Sequence, residues 1–212
     1  MDADLAYLLG ALRDGSVYYY PKNRSYYTLF YQKNKSWLIH SIGLRLQSLF
    51  GVRYRIDEYK SGHYRLRVSS KRLYLLWRDI FSFPSEGLGQ FYWFVPSIIF
   101  HSDLSVKSSY LRGFFDAEGD VSPLSSSTFY LGISQKNKFV LESIRLLLQD
   151  FNIVSSSPSI ADKSSQTYRI IISHHSNISL FAKYVGCEHP AKAAKLARIV
   201  SIISSNENSR FS

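Results

Sequence analysis

Residues 111–119 read Leu-Arg-Gly-Phe-Phe-Asp-Ala-Glu-Gly, and most of the architecture follows from this stretch. Gly113 and Ala117 are four residues apart, so a helix through them presents small residues on one face and lets a second helix approach closely. Glu118 stands directly before the helix-ending Gly119, at the negative end of the helix dipole. The stretch therefore predicts a tightly packed helix with an acid at its C-terminus.

A second, looser version of the stretch lies near the N-terminus. Residues 7–15 read Tyr-Leu-Leu-Gly-Ala-Leu-Arg-Asp-Gly, and Ala6 and Gly10 are again four residues apart. Gly10 precedes Asp14 by four residues, whereas Gly113 of the second version precedes Glu118 by five. Either the first helix ends one residue earlier or its packing register differs. If the two helices pack side by side, their acids repel each other, and a cation between them would relieve that cost.

Further matches at nearly the same offset show that the chain is an internal duplication. The matching pieces are Gln-Lys-Asn-Lys at 32–35 and 135–138, Ser-Ile at 41–42 and 143–144, and Tyr-Arg at 64–65 and 168–169. Three colinear matches are hard to obtain by chance, and small loop changes explain the drift of one residue. We expect a first unit at 1–82, a linker at 83–104, a second unit at 105–203 and a polar, frayed tail at 204–212.

The periodicity of the apolar residues predicts the same order of elements in both units: helix, two strands, helix, two strands, helix. We expect the first helix to be capped by Asp4 and stopped by Gly15. The predicted class is α+β, with two pseudo-twofold-related αββαββα units whose four-stranded antiparallel sheets form a saddle. The predicted boundaries are helices at 4–14, 35–50, 70–81, 105–118, 137–151, 176–184 and 189–203, and strands at 16–21, 26–32, 52–59, 63–69, 120–123, 128–134, 153–161 and 167–173.

Composition narrows the class of partner. The chain has 212 residues with a net charge of +10, which favours nucleic acid first and an anionic membrane surface second. One cysteine excludes a disulfide scaffold, and the acidic N-terminus shows no secretory or transit signal. The longest apolar run, 91–100, is too short to span a bilayer. We expect an intracellular protein, in a prokaryote or an organelle, that is not secreted.

The positive charge has a predicted location. Residues 1–104 carry 14 basic and 8 acidic residues, and 105–212 carry 12 and 8, so both units contribute. Within the second hairpin of the first unit, arginines alternate with apolar residues and fall on one face, as at Arg53, Arg55, Arg65 and Arg67. The ordinary interpretation is a solvated sheet face, and the alternative is a surface that reads bases and phosphates in a major groove.

Together these features resemble the LAGLIDADG family of homing endonucleases, over nearly the whole chain. Residues 111–119 match the motif at Leu, Gly, Asp, Ala, the eighth-position acid and the last Gly, and the His-Pro-x-Lys pattern at 189–192 resembles the family's closing helix. The resemblance implies a monomeric, intron-encoded enzyme that cuts both strands of a long asymmetric duplex DNA site. It also implies 3′ overhangs, cleavage across a minor groove, and Mg²⁺ or Mn²⁺ as cofactor.

The resemblance also implies roles for particular residues. Asp14 and Glu118 would bind the metal, with the backbone of residue 13 not assigned to it. Gln32 and Gln135 would order the attacking water, and Lys192 would stabilise charge on the phosphate, with Lys71 as the weaker counterpart in the first unit. The expected DNA contacts are Tyr18, Tyr20, Lys22, Arg24, Lys33, Arg53, Arg55, Arg65, Arg67, Lys71, Lys136 and Arg169.

Two other functions remain open from the sequence. One is a binding protein on the same scaffold, either an RNA maturase or a transcription factor. The other is a basic α+β protein that binds RNA through its sheet without catalysis. The two acids favour the endonuclease, since a protein that only binds nucleic acid has no need for paired carboxylates on its basic face.

Overall fold

The computed structural model describes residues 1–84 and 89–208. Four positions of the predicted linker, 85–88, and the end of the predicted tail, 209–212, lie outside the described residues. In the described part, no helix has the length and apolar character to cross a membrane.

The first half of the chain follows the predicted order of elements. Its elements are α1 (Ala3–Ala11, continued by a 3₁₀ turn, Leu12–Asp14), β1 (Gly15–Tyr20), β2 (Ser25–Gln32), α2 (Lys35–Trp37, Leu38–Gly43 and Leu44–Phe50, the middle piece π-wound), β3 (Tyr54–Lys60), β4 (His63–Ser69) and α3 (Lys71–Leu75, then the π-wound Leu76–Ile80).

Two short helices precede the second half, which repeats the order. The elements are α4 (Gly89–Tyr92), α5 (Ser97–Phe100), α6 (Leu104–Glu118), β5 (Gly119–Val121), β6 (Leu131–Gln135), α7 (Lys138–Gln149), β7 (Ser159–Asp162), β8 (Thr167–Ile172), α8 (His175–Tyr184) and α9 (Pro190–Asn208). The predicted α+β class is confirmed.

Each half forms one four-stranded antiparallel sheet, with strand orders β1-β2-β4-β3 and β5-β6-β8-β7. The register of the first pair sets Gly15 opposite Phe30, and that of the second sets Gly119 opposite Ile133. Each motif helix therefore delivers its acid beside the end of the neighbouring strand, where the glutamine of the repeated Gln-Lys lies.

The two halves share one hydrophobic core. Alternation assigns the sheet faces as predicted, because Leu66 and Val68 are buried whereas their neighbour Arg67 is partly exposed. Of the aromatic residues between the halves, Phe83 and Trp93 are buried in the common core, whereas Phe91, Tyr92 and Phe94 are exposed.

Several predicted boundaries are wrong. Helix α1 is capped by Asp2, not Asp4, since the Asp2 carboxylate accepts from the backbone N–H of Asp4 at 2.8 Å. Strand β7 begins at Ser159 rather than 153, because Pro158 has no N–H to give to a ladder. The first hairpin of the second half pairs over fewer residues than predicted, 119–121 with 131–133.

The predicted frayed tail is also wrong in part. Helix α9 continues to Asn208, so residues 204–208 are helical rather than frayed.

Candidate functional site

Helices α1 and α6 are in very close contact at two glycines. A Cβ atom on Gly10 would lie 2.2 Å from the carbonyl oxygen of Tyr110, and one on Gly113 would lie 2.1 Å from that of Tyr7. Only a residue without a side chain fits at either place. The close approach predicted from the small residues is confirmed at these two glycines, and the contact is symmetric at the repeat offset.

The spacing from glycine to acid is one residue shorter in the first motif, and a change of helix type at the end of the first helix compensates for it. Residues Leu12–Asp14 are wound as a 3₁₀ turn, whereas α6 is α-helical to Glu118. A 3₁₀ turn rises about 2.0 Å per residue against about 1.5 Å in an α-helix. From the glycine to the acid, both helices therefore advance about 7.5 Å along their axes. The register at the glycines is conserved, and the tighter winding brings Asp14 level with Glu118.

The pKa of Asp14 responds to the nearby Glu118. Burial, together with the charge of Glu118, raises the pKa of Asp14 to about 8, while Lys192 acts in the opposite direction. Burial also raises the pKa of Glu118, against the influence of Arg13, Gln135 and Lys192. No described residue gives Asp14 a hydrogen bond, so its carboxylate is the less compensated of the two.

The repeated glutamines lie beside the acids but are bonded unequally. In both, the side-chain oxygen accepts from the backbone N–H of the following lysine at 2.8 Å, which fixes the amide. The Nε2 of Gln135 also donates to Glu118 at 3.1 Å, whereas no such bond joins Gln32 to Asp14 in the described chain. Gln135 is buried and Gln32 is half-buried. Lys33 is exposed, and Lys136 lies 4.9 Å from the ring centre of Phe91.

Lys192 contacts the last turn of α6, which ends at Glu118. Its Nζ donates to the backbone carbonyls of Phe115 at 2.9 Å and Asp116 at 2.6 Å, which satisfies two carbonyls of the last helical turn. Burial lowers the pKa of Lys192, and the carboxylates of Asp116 and Glu118 oppose that shift. Its positive charge therefore belongs to the same cluster as the two acids.

Lys71 does not occupy the equivalent position in the first half. It follows β4, whose Ser69 pairs with Tyr27, whereas Gln32 pairs with Tyr64 at the other end of the same ladder. Five residues of strand separate the two ends by about 17 Å. Lys71 is exposed at the start of α3 and lies 5.9 Å from the ring centre of Tyr26, so it lies at the end of the sheet that is remote from Gln32.

Two charged residues near the acids have contacts that the sequence did not predict. Asp116 is buried and accepts from the Tyr7 hydroxyl at 2.5 Å and from the backbone N–H groups of Glu188 and His189, so it ties the C-terminal segment to the motif helices. Arg13 is buried beside Trp93. The sequence feature that could have indicated the burial of Arg13 is its position as a single cation among apolar residues at the end of the first helix.

The sheet of the first half presents most of the predicted contact residues. Arg53, Arg55 and Arg67 line a hollow of about 530 Å³ with Tyr27 and Tyr54. Residues Tyr18, Tyr20, Lys22 and Arg24 follow along β1 and its turn, half-buried or exposed.

Two of the arginines predicted to contact DNA form ion pairs with carboxylates of the same sheet. Arg65 is ion-paired with Asp57. Arg169 holds both carboxylate oxygens of Asp120, at 2.8 and 2.7 Å. These pairs neutralise the two guanidinium groups locally.

The donor set at the acid pair fits a hard divalent cation. Asp14 and Glu118 supply carboxylate oxygens, which such cations prefer, and burial raises the pKa of both, so a bound cation would stabilise their ionised forms. Within residues 1–84 and 89–208, no group of three or more His, Cys, Asp or Glu side chains is placed to hold a metal. A cation here would need water or substrate oxygens to complete its coordination.

The chain is similar in sequence and fold to known proteins. A family model described as a LAGLIDADG-like domain matches residues 105–186. Homing endonuclease I-ApeI of Aeropyrum pernix is 35% identical over 198 residues, covering 92% of this chain and 86% of that protein.

Two solved structures share the fold. I-DmoI in complex with DNA and Mn matches with a TM-score of 0.68 and 23% identity, covering 88% of this chain and 98% of that one. The N-terminal LAGLIDADG domain of DUF199/WhiA matches with a TM-score of 0.59 and 16% identity, covering 89% and 85%.

Proposed function

The chain belongs to the LAGLIDADG homing endonuclease family, and we propose that it is an active, double-motif endonuclease that cuts both strands of one long, asymmetric DNA site. The observation that carries the proposal is the pairing of Asp14 and Glu118 at the adjoining ends of two closely packed helices. A protein that only bound DNA would gain nothing from two mutually repelling carboxylates. We infer that it acts as a monomer, because one chain supplies both motifs.

Asp14 and Glu118 would hold the divalent metal, Mg²⁺ or Mn²⁺. When bound, the cation supplies a Lewis acid for the scissile phosphate and for the attacking water. The two carboxylates must give up their protons to bind it, so the raised pKa of Asp14 links metal binding to pH.

Gln32 and Gln135 would order the water that attacks phosphorus. Each amide is fixed through its oxygen by the following backbone N–H, which leaves the N–H groups of the amide nitrogen to bind water, although one of those in Gln135 already bonds to Glu118. The nitrogen of Gln135 is directed to Glu118 and that of Gln32 is not, so the two half-sites are chemically unequal.

Lys192 would contribute positive charge to the phosphate as negative charge develops. Its ammonium group is held by two backbone carbonyls and keeps a third donor available. This single lysine would serve both acids, because no equivalent cation follows from Lys71 in the first half.

The two sheets would form a saddle on the major groove. Arg53, Arg55 and Arg67 are the arginines best placed to read bases or phosphates, since they line an open hollow. Arg65 and Arg169 would have to exchange their carboxylate partners for DNA, or else hold those carboxylates as acceptors for base amino groups.

The test is cleavage of a randomised library of duplex sites, with the ends of the products sequenced. We expect one preferred sequence, cuts on both strands with 3′ overhangs, and activity with Mg²⁺ or Mn²⁺ that EDTA abolishes. Selective binding without metal-dependent cutting would support the non-catalytic alternative, and stimulated splicing of an intron RNA without cutting would support a maturase.

A further inference from the structure

An ion pair crosses the second sheet on its open face. The Nη2 of Arg169 donates to both carboxylate oxygens of Asp120, at 2.8 and 2.7 Å. Arg169 belongs to β8 and Asp120 to β5, and β6 runs between these two strands. Val121 is buried in the core, so Asp120, the preceding residue of the strand, faces the opposite side of the sheet. The arginine therefore has to lie across β6 to reach the carboxylate.

Gly132 of β6 provides the space for that arginine. A Cβ atom on Gly132 would lie 2.1 Å from Nη2 and 2.4 Å from Nε of Arg169. In the ladder of β5 and β6, Gly132 is the direct partner of Asp120. The ring centre of Tyr130 lies 5.3 Å from the guanidinium carbon, within the range of a cation–π contact. The ion pair thus depends on a residue without a side chain at position 132.

The first sheet does not repeat this arrangement. Ser16 pairs with Leu29 on its first two strands, as Asp120 pairs with Gly132 in the second sheet. Leu29 is 2% exposed and fills the space that the glycine leaves open. Arg65, the repeat counterpart of the arginine, bonds instead to a carboxylate on β3. A carboxylate beside the motif is therefore a property of the second half alone.

The pair leaves the carboxylate, and not the guanidinium, accessible to a base. In Arg169, Nε is buried without a partner in the described chain, and Nη2 is bonded to Asp120. The side chain of Asp120 is 47% exposed, against 26% for Arg169. A carboxylate has about four acceptor positions, and the arginine occupies only some of them. Because the arginine also neutralises its charge, this carboxylate can approach DNA without strong repulsion.

An acceptor in the major groove favours one base. Cytosine presents only the donor N4 there, whereas guanine presents two acceptors, thymine presents one, and adenine has the acceptor N7 beside its amino group. Asp120 follows Glu118 by two residues, which is about 7 Å of extended chain. At about 3.4 Å per base pair, the contacted base should lie within about five base pairs of a cut.

We propose that Asp120 is a specificity-determining residue that accepts a hydrogen bond from the amino group of a cytosine, and that Arg169 and Gly132 hold its carboxylate for this contact. The cytosine belongs to the part of the DNA site that the second sheet contacts. The inference rests on the proposed function, because it assigns one base of the same DNA site.

The test is selection of duplex sites by binding in Ca²⁺, with the wild type, Asp120→Asn and Asp150→Asn. Asparagine keeps the shape of the side chain and replaces one acceptor by an amide donor. Asp150 is the matched control, since its carboxylate lies 2.7 Å from the Nζ of Lys107, outside both sheets. The cuts are mapped on the wild-type site with Mg²⁺.

The wild type should prefer cytosine about 5- to 150-fold at one position within about five base pairs of a cut. Asp120→Asn should change the preference at that position alone, towards adenine, whose N6 and N7 fit an asparagine amide. Asp150→Asn should keep the wild-type preferences. Identical preferences in the wild type and Asp120→Asn would overturn the proposal, as would a change at a position where the wild type does not select cytosine.

Gly132→Ala tests the support of the carboxylate separately. Its methyl group displaces the side chain of Arg169, so the cytosine preference should weaken at the same position while the other preferences stay. If Asp120→Asn does not fold, an unchanged cytosine preference in Gly132→Ala would overturn the proposal. The preference is measured by binding, so a wild-type protein that binds the selected site without cutting it would refute the endonuclease assignment and not the base contact.

Discussion

Gly10 and Gly113 are pseudo-symmetric partners, each pressed against the backbone of the opposite motif helix. The two contacts, 2.2 Å and 2.1 Å from a hypothetical Cβ to a carbonyl oxygen, are shorter than any real contact of that kind. They fix the separation of α1 and α6, and hence the distance between the acids at the helix ends. The site is therefore assembled by helix packing and not by a loop.

Gly10→Ala should disturb the site through this packing. The new methyl group must push the helices apart, which we expect to destabilise the protein by about 1 to 3 kcal/mol. Cleavage should fall further than DNA binding, because the acids separate while the sheets stay formed. Gly51→Ala is the control, since Gly51 has a φ of +64° in open space and alanine there costs about 1 to 2 kcal/mol. Equal cleavage by the two variants at matched folded concentration would contradict the expectation.

The stability of the metal-free protein should fall as pH rises from about 4 to 8. The pKa of Asp14 in the folded protein is about 8 and its ordinary value is 3.8, so in this window the folded state keeps a proton that the unfolded chain has lost. Burial raises the pKa of Glu118 and of Asp116 as well, which adds to the same slope.

Denaturation in EDTA at pH 5 and pH 8.5 measures this effect. Asp14→Asn should flatten the slope in part, and Mg²⁺ should stabilise the wild type more at pH 8.5 than at pH 5, since it binds the ionised carboxylates. An unchanged slope in Asp14→Asn would show that Asp14 is not the main titrating group.

Arg45 joins the first half to the C-terminal segment. Its guanidinium bonds to both oxygens of Glu188 at 2.8 and 2.7 Å and to Asp4 at 2.7 Å, and it lies 4.0 Å from the ring centre of Tyr7. We expect Arg45→Met to lose about 1 to 3 kcal/mol of stability and to keep its cleavage rate per folded molecule.

The matched control for that variant is a simpler ion pair. Arg145 and Glu142 are three residues apart on α7, with 2.6 Å between their charged atoms. Removing such a pair should cost about 0.5 kcal/mol or less. Equal melting temperatures for Arg45→Met and Arg145→Met would show that the Arg45 network contributes no more than a surface pair.

If the basic sheet face binds DNA, its arginines should determine how DNA affinity depends on salt concentration. If Arg53 contacts a phosphate, Arg53→Gln should reduce the slope of log affinity against log salt by about 1. Arg198→Gln removes the same charge from the exposed surface of α9, outside both sheets, and should leave the slope nearly unchanged. Equal slopes for the two variants would place the DNA elsewhere.

Most of the fold could be predicted because the same pattern of apolar residues, glycines and acids occurs in both halves of the chain. Small residues at helical spacing predicted the contact at Gly10 and Gly113, and alternation along β4 predicted which face carries Arg67. The boundaries of β7 could not be predicted from apolar pattern alone, because a single missing N–H at Pro158 limited the pairing.

The details of the site depended on contacts between distant residues. Sequence indicated both acids and both glutamines but not that only Gln135 bonds to its acid. The 3₁₀ turn that brings Asp14 level with Glu118 depends on how the two helices pack, which a motif does not encode. The burial of Arg13 was not predicted for the same reason, since its partner Trp93 is 80 positions away.

The central claim is that Asp14 and Glu118 form one catalytic metal site, and cleavage by Asp14→Asn and Glu118→Gln tests it most directly. On the site selected from the library, with Mg²⁺, each variant should cut at least about 100-fold more slowly, the scale on which loss of one electrostatic group acts at a catalytic centre. DNA affinity measured in Ca²⁺ should stay at the wild-type value or rise, because a carboxylate that repels phosphate is removed. Glu142→Gln, an acid on α7 paired with Arg145, should cut normally. Wild-type cleavage by either Asp14→Asn or Glu118→Gln would contradict the claim.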